Sequence, residues 1–147
     1  MKKIIIVEDE FRIRNGLSTL INKLDMGCKV IGEAENGFEG LKMISDMEPE
    51  VVITDIKMPK MNGLSMIRQA KEMGASCDFV MFLDSDDYID KALLKTLEQY
   101  INKDIDLIKF KLQRVDEEGK TLEIVPGATF EETTGEDGFN KLYSTDV

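Results

Sequence analysis

Short apolar runs alternate with stretches of helical periodicity along most of this chain. Ile4–Val7 is wholly apolar, which predicts a strand buried on both faces. The other predicted strands are Val30–Ala34, Val51–Thr54, Phe79–Leu83 and Ile105–Leu112, with helices around residues 17–24, 41–47, 64–73 and 89–101. Strands alternating with helices predict an α/β fold with a doubly wound, five-stranded parallel sheet. Each connection is long enough for a right-handed crossover in the strand order 2-1-3-4-5.

The pattern changes after residue 112. Residues 116–119 predict a turn that leads into a strand at Thr121–Val125, and a last short helix is predicted at Gly135–Tyr143. We therefore divide the chain into an α/β domain of residues 1–112 and a C-terminal β/α extension of residues 113–147.

The overall composition excludes several classes of partner. A formal net charge of −10 argues against nucleic acid or an anionic membrane as a direct partner. No apolar run reaches the roughly 18 residues of a membrane span, and the N-terminal apolar stretch is too short for a signal peptide. The two cysteines, Cys28 and Cys77, indicate thiols rather than a disulfide framework, so a cytoplasmic location is expected. Because the chain has no histidine, any bound metal is expected to be a hard cation held by oxygen atoms.

Acidic residues follow two of the predicted strands. Glu8 and Asp9 end the first strand and Asp55 ends the third, and these strands should be neighbours. Two carboxylates about 5 Å apart repel by roughly 3 kcal/mol at an effective dielectric constant near 20, a cost that a divalent cation offsets. Oxygen ligands favour Mg²⁺, beside which a carboxylate can act as a nucleophile toward phosphorus. The alternative is that the acidic triplet is only a solvated loop.

The residues around these carboxylates carry a family resemblance. The segments IIIVEDE and VVITDIKMPKMNG closely resemble the receiver domains of two-component response regulators, over about half of the chain. The resemblance implies that Asp55 is the phosphoacceptor and that a histidine kinase is the phosphoryl donor. It also implies a metal site formed by Glu8, Asp9, Asp55 and the backbone carbonyl of Lys57, with Asp9 as a direct ligand. Pro59 and Gly63 are expected to shape the loop after the acceptor.

The second half departs from the receiver pattern. The family places a serine or threonine after its fourth strand, whereas this chain has Asp84 at that position and Ser85 one residue later. Lys109 matches the lysine that ends the fifth strand, but Phe110 replaces the usual proline. A carboxylate at position 84 is expected to slow phosphorylation, because it repels the phosphoryl group and cannot donate a hydrogen bond.

A second resemblance begins in that region. The segments VMFLDSDDYID, DIDLIKF and RVDEEGKTLE, within about residues 77–125, are similar to nucleotide-sugar glycosyltransferases of the A-type fold. This resemblance implies that Asp84 and Asp86 form a D-x-D motif for a divalent metal and a sugar nucleotide. The half of such enzymes that holds the base and ribose has no counterpart here, so glycosyl transfer is not expected.

Charge and methionine content also change along the chain. Residues 1–76 contain 11 Lys+Arg and 12 Asp+Glu, whereas residues 77–147 contain 8 and 17, and every methionine lies at or before Met81. We interpret the chain as a chimera of a receiver front and a glycosyltransferase-like segment, joined near residues 74–79. The alternative is a natural receiver whose last third has diverged.

The predicted function is a phosphoacceptor module of a two-component system, phosphorylated on Asp55 with Mg²⁺ and not itself an enzyme. The alternatives are a non-catalytic chimera and a glycosyltransferase-like fragment with a residual metal or nucleotide-sugar site at Asp84 and Asp86. No DNA-binding segment is recognised, so direct nucleic acid binding by these residues is not expected. A homodimer is compatible with the sequence.

Overall fold

The computed structural model describes residues 1–24, 27–75, 77–85, 87, 89 and 113–124. The chain forms two compact units, Met1–Ile101 and Asn102–Val147. The described elements of the first unit are β1 (Lys2–Val7), α1 (Phe11–Lys23), β2 (Cys28–Ala34), α2 (Gly37–Met47), β3 (Val51–Thr54), α3 (Gly63–Glu72) and β4 (Phe79–Phe82). Those of the second unit are β5 (Gln113–Val115) and β6 (Thr121–Ile124). The predicted division between residues 112 and 113 stays a prediction.

The first unit contains a parallel sheet in which the described strands have the order β2-β1-β3-β4. β1 pairs with β2 on one side and with β3 on the other, and β3 pairs with β4 from Val51↔Phe79 to Thr54↔Phe82. The predicted order is therefore confirmed for these four strands, including the pairing of strands three and four. The predicted fifth strand, Ile105–Leu112, lies outside the described residues, as does the predicted fourth helix apart from Ile89.

The sheet is covered on both faces because its central strands carry apolar side chains in both directions. Along β1, Ile4 and Ile6 pack on the face that α1 covers, together with Leu17 and Ile21 of that helix. The alternate residues Ile5 and Val7 face the other side. There they pack with residues of α2 and α3 and of the loop before α3, including Ile44, Met61, Met66 and Ala70. Burial on both faces explains why the central strands are uninterrupted apolar runs.

The ends of α2 follow from local chemistry. Asn36 caps its N-terminus by accepting hydrogen bonds at Oδ1 from the N–H groups of Phe38 and Glu39, both at 3.1 Å. At the other end Glu48 adopts a left-handed conformation with φ 47°. Its N–H donates a hydrogen bond to the carbonyl oxygen of Ile44 and so completes the last turn of the helix. Because the residue before a proline disfavours helical geometry, the sequence predicts that this helix ends before Pro49, and its end at Met47 confirms the prediction.

Gly27 follows the first predicted helix where a glycine C-cap is expected, and this expectation is wrong. The helix ends at Lys23, and Leu24 rather than Gly27 is the capping residue. Gly27 instead has φ 64° and leads the chain into β2, and its carbonyl oxygen accepts a hydrogen bond of 2.6 Å from the Lys2 N–H. The glycine thus lies in the turn before a strand rather than at a helix C-cap. Both positions favour glycine because both need a positive φ.

The described part of the second unit is an antiparallel hairpin of β5 and β6. Asp116 organises its turn: Oδ1 accepts hydrogen bonds from the N–H groups of Glu118 and Lys120, and Gly119 has φ 83°. The predicted turn at residues 116–119 and the strand that starts at Thr121 are confirmed, and the predicted helix Gly135–Tyr143 lies outside the described residues. Within the described ranges, no helix is long and apolar enough to cross a bilayer.

Substitution of the α2 cap should destabilise the fold more than the same change at α3. Asn36 is buried and satisfies two helix N–H groups, whereas Asn62, the exposed cap of α3, accepts a single bond from Ser65. We expect Asn36→Ala to lower the free energy of unfolding by about 1–2 kcal/mol and Asn62→Ala by about 0.5–1 kcal/mol. Urea denaturation followed by circular dichroism measures both, and equal losses would contradict this reading of the caps.

Candidate functional site

The carboxyl ends of β1 and β3 meet at one edge of the sheet because these parallel strands are neighbours in register. Val7 pairs with Thr54, so Glu8 and Asp55 each begin the loop that leaves their strand. The Glu8 N–H donates to the carbonyl oxygen of Ala34 at 3.0 Å, and the Asp55 N–H donates to that of Val7 at 3.1 Å. Strand pairing therefore delivers the acidic residues of two distant segments to one place.

Three carboxylates gather at this edge. Oxygen atoms of Glu8, Asp9 and Asp55 all lie within 4.8 Å of one another. Glu8 and Asp55 are only 2% and 3% exposed, while Asp9 is open to solvent. Charges at such separations repel by about 3 kcal/mol per pair at an effective dielectric constant near 20. A donor set of oxygens alone fits a hard divalent cation such as Mg²⁺, and the exposed Asp9 would leave such an ion accessible to water.

Burial changes the acid–base behaviour of one of the three. The pKa of Glu8 is raised from its ordinary value of 4.5 to about 7, chiefly by desolvation and to a smaller extent by the nearby charges of Asp55 and Asp9. The opposing contribution is a hydrogen bond of 3.1 Å from the Glu10 N–H to Glu8 Oε1, which lowers the pKa. A cation among these oxygens would favour the charged form of Glu8, so the raised pKa is consistent with a site built to hold one.

Hydrogen bonds hold both the side chain and the backbone carbonyl of Asp55. Its Oδ1 accepts a bond of 3.1 Å from the N–H of Lys57, which orients the carboxylate. Its carbonyl oxygen accepts a bond of 2.9 Å from the hydroxyl of Thr54, a side chain that is 1% exposed. The Lys57 residue is exposed, and the role of its carbonyl as a metal ligand stays a prediction.

The loop after Asp55 closes back onto its own start at Gly63. A Cβ at Gly63 would lie 2.1 Å from the carbonyl oxygen of Asp55 and 3.0 Å from Thr54 Oγ1, so only glycine allows this approach. The Gly63 N–H also donates to the carbonyl oxygen of Ile56 at 2.9 Å. The residue predicted to shape this loop is therefore in direct contact with the backbone of the predicted acceptor.

Met61 fastens the same loop to α2. It is 7% exposed, and a Cβ at Gly37 would lie 2.5 Å from its carbonyl oxygen and 2.8 Å from its Cβ. Just before it, Pro59 accepts a bond of 2.8 Å from the Met61 N–H, and Lys60 has φ 67°. The left-handed backbone at Lys60 costs on the order of 1 kcal/mol, which the packing of Met61 offsets.

Of the site residues predicted in the second half of the chain, the structure describes Asp84 and Ser85. The Leu83 N–H donates to the carbonyl oxygen of Thr54 at 3.0 Å, so the chain reaches the same edge of the sheet. Asp84 is exposed there, and Ser85 is half-buried. In the part of the chain that the structure describes, the acidic group comprises Glu8, Asp9 and Asp55 without Asp84. Asp86 and Lys109 lie outside the described residues.

Sequence reasoning missed three residues that shape the site. Thr54 was assigned only as the end of a strand, and Gly37 only as part of a turn, while Met61 was not singled out. The Asn36-Gly37 pair predicts a turn, whereas in the structure it starts α2, and no local pattern relates residue 37 to residue 61. Their contact depends on how α2 and the acceptor loop pack over the sheet.

Comparison with known proteins identifies the family. The sequence model of the response regulator receiver domain matches residues 4–113, about three quarters of the chain. The chain therefore belongs to the response regulator receiver family and is a phosphoacceptor module of a two-component system.

Relatives of known sequence and structure agree with this assignment. YesN of Bacillus subtilis, an uncharacterized transcriptional regulatory protein, is 32% identical over 105 residues, which cover 70% of this chain and 28% of YesN. HptR of Staphylococcus aureus, also a transcriptional regulatory protein, is 28% identical, covering 83% of this chain and 52% of HptR. An N-terminal domain from Wolinella succinogenes is 32% identical, with a TM-score of 0.56 over 67% of this chain and 92% of that one. The response regulator domain of Thermotoga maritima CheB, 19% identical, shares the fold with a TM-score of 0.57, covering 71% of this chain and 98% of that domain.

These matches test the predicted chimera, whose junction was placed near residues 74–79. The family match runs through residues 74–79 without a break and ends at residue 113, so neither the chimera nor the glycosyltransferase-like segment has support. The pairing of β3 with β4 in register also makes residues 79–82 a regular part of the receiver sheet. By themselves, the shifts in charge and methionine content do not establish separate ancestry. The chain spans between 28% and 52% of the length of YesN and HptR.

The raised pKa of Glu8 predicts a pH dependence of stability without metal. The folded chain retains the Glu8 proton up to about pH 7, whereas the unfolded chain releases it near pH 4.5. The contribution of Glu8 to the free energy of unfolding therefore falls as the pH rises from about 4.5 to 7. We expect Glu8→Gln to remove this fall and to raise the free energy of unfolding at pH 8, in EDTA, by on the order of 1–3 kcal/mol.

Urea titrations of both proteins at pH 5 and pH 8 measure the effect. The two proteins should differ more at pH 8 than at pH 5. A difference that is independent of pH would mean that Glu8 is not the group responsible.

A methyl group at Gly63 should displace the acceptor. Because its Cβ would overlap the Asp55 carbonyl oxygen, Gly63→Ala should lower the free energy of unfolding by about 2–4 kcal/mol. A displaced nucleophile should also slow phosphorylation by acetyl phosphate on the order of 100-fold. Gly16→Ala is the matched control: nothing lies within 4 Å of its Cβ position in α1, so stability should rise by up to about 1 kcal/mol and the rate should not change. Equal rates in the two variants would contradict the role of Gly63.

Proposed function

We propose that Asp55 is the residue that accepts the phosphoryl group. The observation that carries this proposal is the position of Asp55 among the three carboxylates, with Oδ1 oriented by the Lys57 N–H and the backbone braced by Thr54 and Gly63. An oriented carboxylate in a site that suits a divalent cation has the properties required of a nucleophile toward phosphorus. Glu8 and Asp9 share the negative charge of the site, and in the receiver pattern they match the acidic pair rather than the acceptor.

The transfer breaks one bond to phosphorus and forms another. An oxygen of the Asp55 carboxylate attacks the phosphorus atom of a phosphohistidine, the P–N bond breaks, and the imidazole nitrogen keeps the electron pair and regains a proton from water. The product is an acyl phosphate on Asp55. The hydrogen bond from the Lys57 N–H keeps the carboxylate in one orientation during the attack.

We propose Mg²⁺ as the cofactor of this reaction. Glu8, Asp9 and Asp55, with the backbone carbonyl of Lys57, are the groups that would hold it, and when bound it supplies positive charge that offsets the charge of the transferring group. Burial of Glu8 and Asp55 keeps two of the ligands fixed, while the exposed Asp9 leaves access from solvent.

The proposed donor is a histidine kinase, as the receiver family implies. The chain then acts as a substrate of its donor rather than as an enzyme toward another molecule. YesN and HptR are named as transcriptional regulatory proteins, and this chain covers only part of their length. We propose that the phosphorylated module controls a transcriptional output, and the absence of direct nucleic acid binding by residues 1–147 stays a prediction.

Three further residues are proposed to respond to the phosphoryl group. Lys109 is proposed to pair with Asp55, and Ser85 is the hydroxyl nearest in sequence to the position where the family has one. Asp84 occupies that position itself and is proposed to slow phosphorylation through charge repulsion. The exposure of Asp84 and the partial burial of Ser85 favour Ser85 as the residue that contacts the phosphoryl group.

Acetyl phosphate tests the assignment of Asp55. Incubation of the 147-residue chain with acetyl phosphate and Mg²⁺ should add one phosphoryl group, detected by intact-mass spectrometry, and EDTA should prevent the addition. Asp55→Asn should abolish the mass shift because the amide is not a nucleophile of this kind. Asp78→Asn is the matched control, because Asp78 is exposed just before β4, at the opposite edge of the sheet. A mass shift that persists in Asp55→Asn would assign the phosphoryl group to another residue.

A further inference from the structure

Arg14 in α1 contacts the backbone of the acidic site from the side. Its guanidinium donates a hydrogen bond through Nη1 to the carbonyl oxygen of Glu8. The Arg14 side chain is only 12% exposed, so much of it has been withdrawn from water to make this contact. A guanidinium is a multiple donor with fixed geometry, and a hydrogen bond from a charged group is stronger than one between neutral groups. Nothing in the roles assigned above uses this residue.

Two further contacts fix the position of the guanidinium. Arg14 Nε lies 3.8 Å from Oε2 of Glu33 in β2, and its Cζ lies 5.6 Å from the centre of the Phe11 ring. The ion pair with the partly exposed Glu33 contributes little energy by itself, and the ring contact contributes about 0.5–1 kcal/mol. Together they restrict the direction from which Arg14 reaches Glu8.

The peptide that joins Glu8 to Asp9 is held at one end by Arg14. On the other side of Glu8, its N–H donates to the carbonyl oxygen of Ala34 in β2. The Glu10 N–H bonds to the Glu8 carboxylate, and the Glu10 carbonyl oxygen accepts from the Arg14 N–H as α1 begins. Arg14 is thus the side chain that secures the Glu8 carbonyl, and the orientation of that peptide sets where the Asp9 side chain projects.

We propose that Arg14 is a positioning residue that holds Glu8 and Asp9 in the geometry needed to bind a divalent cation. This inference rests on the Mg²⁺ site proposed above and extends it to a residue that does not touch the cation. Groups that orient metal ligands from behind commonly change metal affinity by 10-fold to 100-fold when they are removed.

The positioning effect and the simple effect of charge have opposite signs. Arg14 carries a positive charge beside an acidic site, so its removal should, by charge alone, make the site more negative and tighten Mg²⁺ binding. Loss of positioning should instead weaken binding. A purely structural role should lower the stability of the fold and leave the affinity of the folded protein unchanged.

Three variants of the 147-residue chain separate these cases. Arg14→Gln removes the charge and the guanidinium, and Arg14→Lys keeps the charge but loses the forked geometry. Arg12→Gln is the matched control, because Arg12 is an exposed arginine in the same helix and its loss removes the same charge. Mg²⁺ affinity is measured by titration calorimetry well below each unfolding temperature, and thermal unfolding in EDTA confirms that each variant is folded.

We expect Arg14→Gln to weaken Mg²⁺ binding by about tenfold, and Arg14→Lys to weaken it by a smaller factor. Arg12→Gln should bind Mg²⁺ as tightly as the unchanged chain or slightly more tightly. In EDTA, the backbone N–H of Glu10 should exchange with deuterium faster in Arg14→Gln than in Arg12→Gln, because its acceptor, the Glu8 carboxylate, is less well held.

The proposal is overturned if a folded Arg14 variant binds Mg²⁺ as tightly as Arg12→Gln. If Arg14→Gln does not fold, the same criterion applies to Arg14→Lys, which keeps the stem and the charge of the side chain. An unchanged chain that does not bind Mg²⁺ at all would instead refute the proposed metal site, so the two failures are distinguishable.

Discussion

The site depends on the parallel pairing of β1 with β3, which forces like charges together. With Val7 beside Thr54, the next residues on both strands are carboxylates that are almost fully buried. Their mutual repulsion and desolvation work against folding, and burial raises the pKa of Glu8 to about 7. The apolar packing of the central strands on both faces of the sheet must offset this cost. A fold that tolerates such an arrangement is well suited to a cation and a phosphoryl group.

A second constraint is that the acceptor loop has few buried side chains of its own. Between Asp55 and Gly63, Met61 is the one buried residue, and the rest are partly or largely exposed. The loop therefore obtains its geometry from close backbone approaches at Gly63 and Gly37. Both glycines begin helices that follow an asparagine cap, so the same Asn-Gly pairs that start α2 and α3 also leave room for the loop. The two Asn-Gly pairs therefore serve both to cap the helices and to shape the acceptor loop.

The predicted chimera rested on composition and a short motif, and the family match gives it no support. The short D-S-D segment, the acidic second half and the clustered methionines were each local or statistical signals. They do not report which strands pair. The receiver family match continues through residues 74–79, and β4 takes its place beside β3 in register, where Leu83 bonds to the backbone of Thr54. Local composition does not establish the ancestry of such a segment, because surface charge can vary without changing the buried core of the sheet.

The sequence by itself determined the alternation of elements, the order of the first four strands and the meeting of Glu8, Asp9 and Asp55. Apolar periodicity is a local signal, and the right-handed crossover rule leaves few ways to arrange the strands that it marks. It could not predict how deeply each of the three carboxylates is buried, and in the structure Glu8 is buried whereas Asp9 is exposed. Nor could it predict that Met61 would pack closely against Gly37, or that Arg14 would donate a hydrogen bond to the Glu8 carbonyl oxygen. Only the tertiary structure decided these, because burial and close backbone approach arise from the packing of segments that are distant in the chain.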